Sequence, residues 1–169
     1  MNRKNKSAKR VLLEGVLAIF LAALLLTLLV SEISEYEFDV FQYAMVYVIS
    51  VVASMMMVTL LLFIITCVES LIIMIIDKKF NMRNLLFVNY NFFGKNILLS
   101  ALLAMVVMNF ENMVVQTVAT VFLYIIAVLL IAGYYLNIVN VASVNKKAGR
   151  VLISIIGALI VVFNGAVLL

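Results

Sequence analysis

The architecture follows from residues 40–68, VFQYAMVYVISVVASMMMVTLLLFIITCV, a run without a charged side chain. A helix that crosses a bilayer needs about 20 consecutive apolar residues, so this run is long enough to cross. Of all 169 residues, 67% are hydrophobic and 12% are charged, and the mean hydropathy is +1.28. Soluble domains are about 45–50% apolar and about 25% charged. The composition therefore predicts an integral membrane protein and excludes a soluble enzyme.

Four further apolar segments lie on either side of this run, and together they predict one integral membrane domain over residues 1–169. The third segment is shorter than a crossing requires unless it extends backward through Phe92 and Phe93. Each of the others has enough apolar residues to span a bilayer on its own. We expect spans at about residues 11–30, 42–68, 94–110, 113–136 and 151–169.

The basic residues indicate that the third segment also crosses. The 12 Lys and Arg residues fall within residues 3–10, 78–95 and 146–150. Cytoplasmic loops collect Lys and Arg, and five crossings place all three groups in the cytoplasm. If the third segment did not cross, residues 146–150 would lie outside. We expect an all-α, polytopic bundle of five transmembrane helices, with a cytoplasmic N-terminus, an external C-terminus and residues 1–10 as a basic cytoplasmic tail.

Two acidic residues lie within or beside the apolar runs. Glu14 follows Arg10 by four residues, a spacing that predicts an ion pair on one face of a helix. Glu69 follows 29 uncharged residues and precedes another apolar stretch. Two interpretations of Glu69 stay open: an interfacial ion pair with Lys78, Lys79 or Arg150, or a functional carboxylate within the membrane.

Polar and small side chains form stripes along spans two, four and five, which include Ser54, Tyr124 and Asn164. Such stripes are typical of helix packing, and the alternative is a polar pocket between the three spans. Residues 77–95 mix basic and aromatic side chains, including Arg83, and predict a connector at headgroup depth or a docking surface. The candidate interaction residues are Glu69, Ser54, Tyr124, Asn164 and Arg83.

The chemistry of the side chains is sparse. The chain has no His and one Cys, Cys67, so it offers no Cys/His metal cluster, no disulfide within the chain and no histidine for acid–base catalysis. We therefore expect no enzymatic activity, no catalytic residues, no metal and no cofactor. The basic tail adjoins a span, which favours anionic lipid as its contact and makes nucleic acid an unexpected partner.

Two longer segments resemble the Yip-domain family. They are LIIMIIDKKFNMRNLLFVNYNFFGKNILLSALL at residues 71–103 and AGYYLNIVNVASVNKKAGRVLISIIGALIVV at residues 132–162. The likeness covers roughly residues 40–169. It implies a five-span protein with a cytoplasmic N-terminus. Bacterial relatives look like accessory membrane proteins, some associated with ABC exporters, and the resemblance assigns no catalytic residue.

These observations predict a non-enzymatic accessory or scaffold subunit of a complex in the bacterial cytoplasmic membrane, associated with an ABC exporter or an envelope stress response. The expected partners are the lipid bilayer and another membrane protein, such as a permease or ABC subunit, with a homo-oligomer as an open alternative. One alternative function is a vitamin-type capture subunit, suggested by the Ala18/Ala22 spacing. The other is a toxin-immunity membrane protein.

Overall fold

Five α-helices form the part of the chain that the computed structural model describes. It describes residues 3–33, 40–76, 80–110, 112–142, 144 and 147–167, with the side chains of residues 3–6, 30–33, 40 and 160–167 excepted. No strand occurs within these ranges. The helices are α1 (Arg3–Ile33), α2 (Val40–Ile76), α3 (Met82–Asn109), α4 (Met113–Asn140) and α5 (Lys147–Val167).

Four of these helices are long and apolar enough to cross a bilayer. The qualifying segments are Ser7–Leu29, Phe41–Ile76, Met82–Asn109 and Met113–Asn140. The all-helical, multi-pass prediction is confirmed at this level, while a fifth crossing by α5 stays a prediction.

The largest departure from the sequence analysis is the start of α3. This helix begins at Met82, where the Asn81 side chain accepts a hydrogen bond from the Asn84 amide, and not near residue 94. Residues Leu85, Val88 and Phe92 are buried inside the protein. The prediction of a connector is therefore wrong for residues 82–95, which belong to α3 and pack Leu85 and Phe92 in the core, while the alternative of a docking surface stays a prediction.

Helices α1 and α3 run parallel and make the most extensive contact between helices. At their crossing, a Cβ atom added to Gly15 would lie 2.5 Å from the backbone of Tyr90 and Asn91, and one added to Gly94 would lie 2.6 Å from the Gly15 carbonyl. Small residues allow this approach, as is usual for membrane helices. Ala18 and Ala22 are also buried within the chain, so the Ala18/Ala22 pattern presents no outward contact of the capture-subunit kind.

One end of the bundle is packed more tightly than the other. We call it the basic end: α1, α3 and α5 begin there, α2 and α4 finish there, and it carries Arg10, Arg83, Lys147 and Arg150. Most buried residues of α2 and α4 lie in the halves nearest this end. Helix α3 lies between them, and no Cα atom of α2 comes within 8 Å of one of α4 in the described residues.

Candidate functional site

A buried polar cluster lies in the half of the bundle nearest the basic end. It consists of Thr66 and Glu69 from α2, Asn89 from α3 and Tyr134 from α4, each no more than 1% exposed. Three helices thus each direct polar groups to one point. Buried polar groups within a membrane protein are costly unless they are hydrogen-bonded, so a cluster of this kind is a candidate functional site.

Helical spacing places these side chains together. Thr66 and Glu69 are three residues apart and share one face of α2. The Phe92 ring stacks on the Tyr134 ring, with centroids 4.1 Å apart. Gly157 of α5 lies against the Tyr134 ring. A Cβ atom added to Gly157 would lie only 2.8 Å from Tyr134 Cε1. Aromatic packing and a glycine in α5 therefore hold the Tyr134 hydroxyl against the cluster.

Asn89 is the centre of the hydrogen-bond network. Its Nδ2 donates to Thr66 Oγ1 at 2.9 Å and to Glu69 Oε2 at 2.5 Å. The Tyr134 hydroxyl lies 2.8 Å from Asn89 Oδ1 and 3.4 Å from Glu69 Oε1. The Thr66 hydroxyl donates to the backbone carbonyl of Leu62 at 2.7 Å. One asparagine thus joins α3 to both α2 and α4.

The structure does not place Glu69 at an exposed membrane boundary. Within the described residues, the ion pairs of Lys and Arg side chains involve Glu14 and not Glu69. Arg150, one of the three expected partners, donates from Nε to the Val144 carbonyl at 2.7 Å. Lys78 and Lys79 lie outside the described residues. The observed partners of Glu69 are neutral groups, Asn89 and Tyr134.

The second acidic residue, Glu14, joins α1 to α3. Its Oε1 lies 3.0 Å from Arg10 Nε, which confirms the predicted ion pair four residues apart. Its Oε2 accepts from Lys95 Nζ at 3.0 Å and from Asn91 Nδ2 at 3.2 Å. Asn91 also donates to the Val11 carbonyl at 3.0 Å. This group lies beside the Gly15–Gly94 contact and holds two helices together.

The other candidate residues are dispersed. Ser54 is half-buried on α2, whereas Tyr124 is 44% exposed on α4, and no described Cα atom of one helix comes within 8 Å of the other. The structure therefore does not bring Ser54 and Tyr124 into one pocket. Arg83 is exposed and lies over the Phe87 ring, 5.4 Å from its centroid. Asn164 belongs to α5, and its side chain lies outside the described side chains.

Asn89 and Asn91 are not predicted as site residues from the sequence, because they lie in the segment interpreted as a connector. A signal is present, since α3 or its cap carries asparagine at residues 81, 84, 89, 91, 96 and 109. Asparagine both donates and accepts, which suits it to link neighbouring helices inside a membrane. Cys67 is a free, half-buried thiol, and the described residues contain no group of three His, Cys, Asp or Glu side chains that could hold a metal ion.

The geometry thus supplies a carboxyl group, a phenol, a hydroxyl and an amide in a buried interior. Such a set can bind or hold a proton and can lock helices in register, and it lacks the paired nucleophile and base of a hydrolase. Comparison with known proteins adds no further assignment: no protein-family model, curated protein or solved structure matches this chain, so the resemblance to the Yip-domain family stays a prediction.

Proposed function

We propose that the chain is a non-enzymatic accessory subunit that binds another integral membrane protein through one face of α4. We call this surface the Tyr124 face. It comprises Thr117, Val121, Tyr124 and Val128, which are spaced by three and four residues and are all exposed.

The observation that carries this proposal is the hydroxyl of Tyr124. The side chain is 44% exposed, and no hydrogen bond joins it to another described residue. Tyr124 lies eleven residues after the first residue of α4, which is about 16 Å along the helix, near the middle of a hydrocarbon core about 30 Å thick. A hydroxyl left without a partner at that depth is unfavourable.

Tyrosine differs here from serine and threonine. A threonine hydroxyl can bond the carbonyl four residues earlier in its own helix, as Thr117 does with Met113 at 2.8 Å. The tyrosine hydroxyl extends too far from the backbone to do the same. Its partner must therefore come from outside α4, and interhelical hydrogen bonds are a recognised means of helix association in membranes.

The wider setting of this proposal includes five spans, a cytoplasmic N-terminus and an external C-terminus in a bacterial cytoplasmic membrane. The distribution of Lys and Arg supports that orientation. The likeness to the Yip-domain family supports an accessory role beside an ABC exporter or in an envelope stress response. A permease or ABC subunit is the partner class that we propose for the Tyr124 face. The lack of His and the single Cys support a role without catalysis.

Site-specific photo-crosslinking in native membranes tests the partner surface. A photoreactive phenylalanine analogue replaces Tyr124 in the full-length chain, and the adduct is identified by mass spectrometry. The matched control places the same analogue at Phe122, which is 62% exposed and points about 200° away around α4. We expect a single adduct with an ABC permease or ATPase-linked membrane subunit at position 124, and no such adduct at position 122.

Two outcomes would contradict the proposal. An adduct with the mass of two copies of this chain would make the Tyr124 face a homo-oligomer contact. Equal adducts at both positions would show non-specific collision within the bilayer.

The variant Tyr124→Phe supplies a second measurement. The amount of complex recovered in mild detergent should fall about tenfold, which corresponds to about 1.4 kcal/mol for one lost interhelical hydrogen bond.

A further inference from the structure

We infer that Glu69 is a proton-binding site, and that the bound proton completes a closed ring of hydrogen bonds through α2, α3 and α4. The ring consists of Glu69, Asn89 and Tyr134. This inference rests on the buried cluster and is independent of the Tyr124 face.

The proton count of the cluster carries the inference. The Asn89 amide uses its two N–H groups on Thr66 Oγ1 and Glu69 Oε2. The Tyr134 hydroxyl has one proton, and its nearer acceptor is Asn89 Oδ1 at 2.8 Å. Glu69 Oε1 then faces the Tyr134 oxygen at 3.4 Å, and neither group has a proton left to share. A proton on Glu69 Oε1 supplies the missing donor.

The completed ring runs in one direction. Glu69 Oε1 donates to the Tyr134 oxygen, the Tyr134 hydroxyl donates to Asn89 Oδ1, and Asn89 Nδ2 donates back to Glu69 Oε2. Turning the Asn89 amide over does not remove the requirement, because two oxygens would then face each other across 2.5 Å and would need a proton between them. Either arrangement has at least one hydrogen too few when Glu69 is ionised.

The side chains around Glu69 also favour a neutral carboxyl group. An ionised carboxylate inside a membrane protein is expected to have a cationic partner. From α3 the cluster is faced by Asn89 and Phe92, from α4 by the phenol of Tyr134, and from α5 by Gly157, none of which is cationic. In α1, Glu14 is paired with Arg10 and Lys95.

The remaining charged side chains that the structure describes belong to the basic end, and Asp77, Lys78 and Lys79 lie outside the described residues. Arg83 lies over Phe87, and Arg150 donates to the Val144 carbonyl. Within the described residues, no ion pair joins Glu69 to Arg83, Lys147 or Arg150. A neutral carboxyl group is therefore the form that this surrounding can accommodate.

Proton binding at Glu69 has a structural consequence. Helices α2 and α4 do not approach each other through their backbones, so the contact from Glu69 to Tyr134 links them directly across α3. Loss of the proton removes the donor in that link and leaves a buried negative charge. The bundle near the basic end is then held less tightly, which makes the side-chain link between α2 and α4 dependent on proton concentration.

Infrared difference spectroscopy tests whether Glu69 holds a proton. The full-length protein in lipid nanodiscs is compared at neutral pH with Glu69→Gln, whose amide has nearly the same shape as a protonated carboxyl group. We expect the wild-type spectrum to contain a carboxylic-acid C=O band that the variant lacks. The band should shift in Tyr134→Phe, which removes the acceptor, and stay in place in Tyr135→Phe. A difference spectrum with carboxylate bands in place of the acid band would overturn the inference.

Thermal unfolding at several pH values supplies a second measurement. Because the neutral carboxyl group stabilises the fold, wild-type stability should be full at low pH and fall as rising pH removes the proton from Glu69. Glu69→Gln keeps both ring contacts without a titrating group, so its melting temperature should lose this dependence. If both proteins show the same pH dependence, Glu69 is not the group that binds the proton.

Discussion

Gly15 and Gly133 differ only in their surroundings, and this makes them a matched pair of residues. An added methyl group at Gly15 would lie 2.5 Å from the backbone of α3, where no side chain can move aside. We predict that Gly15→Ala lowers the free energy of unfolding by about 2 kcal/mol, because α1 and α3 must separate. Gly133→Ala meets nothing within 4 Å and should leave stability unchanged or slightly higher. Thermal unfolding followed by circular dichroism measures both, and equal losses would contradict the close-contact explanation.

Tyr134 and Tyr135 form a second matched pair at the residue scale. The Tyr134 hydroxyl contacts Asn89 and Glu69 in the buried cluster, whereas Tyr135 is half-buried and has no hydrogen bond to a described residue. We expect Tyr134→Phe to cost about 1–3 kcal/mol, since Asn89 Oδ1 loses its donor in a dry interior. Tyr135→Phe should cost less than about 0.5 kcal/mol, as for an ordinary surface change. Chemical unfolding in detergent gives both values. If Tyr134→Phe leaves the free energy of unfolding almost unchanged, the ring of hydrogen bonds through Glu69, Asn89 and Tyr134 contributes no stability.

At the scale of elements, Asn91 attaches α1 to α3. Its side chain is 5% exposed and bonds the Val11 carbonyl and Glu14, whereas Asn109 bonds only the carbonyl of Met105 in its own helix. We predict that Asn91→Ala lowers the free energy of unfolding by about 1–3 kcal/mol and that Asn109→Ala changes it little. Thermal melts of the two variants in the same detergent make the comparison. A comparable effect at both positions would mean that the α1–α3 contact depends on apolar packing alone.

The elements also show where sequence patterns predict structure and where they do not. Uncharged runs predict the spans of α2 and α4 well, because lipid requires apolar side chains in whatever order they occur. The start of α3 is hidden because Asn89, Asn91 and Lys95 interrupt its hydropathy. Those residues satisfy one another and α1 inside the protein, and a sequence pattern does not show which helix supplies the partner. The spacing from Arg10 to Glu14 is local, so it was predictable and is confirmed.

In the candidate site, too, local sequence patterns are predictable and contacts between helices are not. Glu69 is conspicuous in the sequence as a single charge after 29 uncharged residues, and Tyr134 follows the stripe of α4. That they meet through Asn89 depends on the position of α3 between α2 and α4, which is a tertiary property. Helical periodicity identifies a face and not the neighbour of that face. For that reason Ser54 and Tyr124 do not line one pocket, which was the alternative to helix packing, although both residues are polar.

At the scale of the whole molecule, the number of crossings decides which face of the membrane each loop meets. Every Lys and Arg lies in residues 3–10, 78–95 or 146–150, so we predict that these segments are cytoplasmic. Helix α5 has 21 residues and no charged side chain after Arg150, so we predict that it also crosses. Single cysteines at Lys79, Glu111, Lys146 and Leu169 test this in a Cys67→Ser background. A membrane-impermeant maleimide should label positions 111 and 169 in intact cells.

Positions 79 and 146 should react with the maleimide only after permeabilisation. The external pair, 111 and 169, and the cytoplasmic pair, 79 and 146, thus serve as controls for each other. The comparison of positions 146 and 169 isolates α5, because these residues flank it. If both react from the same side, α5 does not cross and the bundle has four spans. Residues 146–150 follow α4 in either case, so they stay on the same side as residues 3–10, and the outcome changes the side of the C-terminus without changing the orientation of α1–α4.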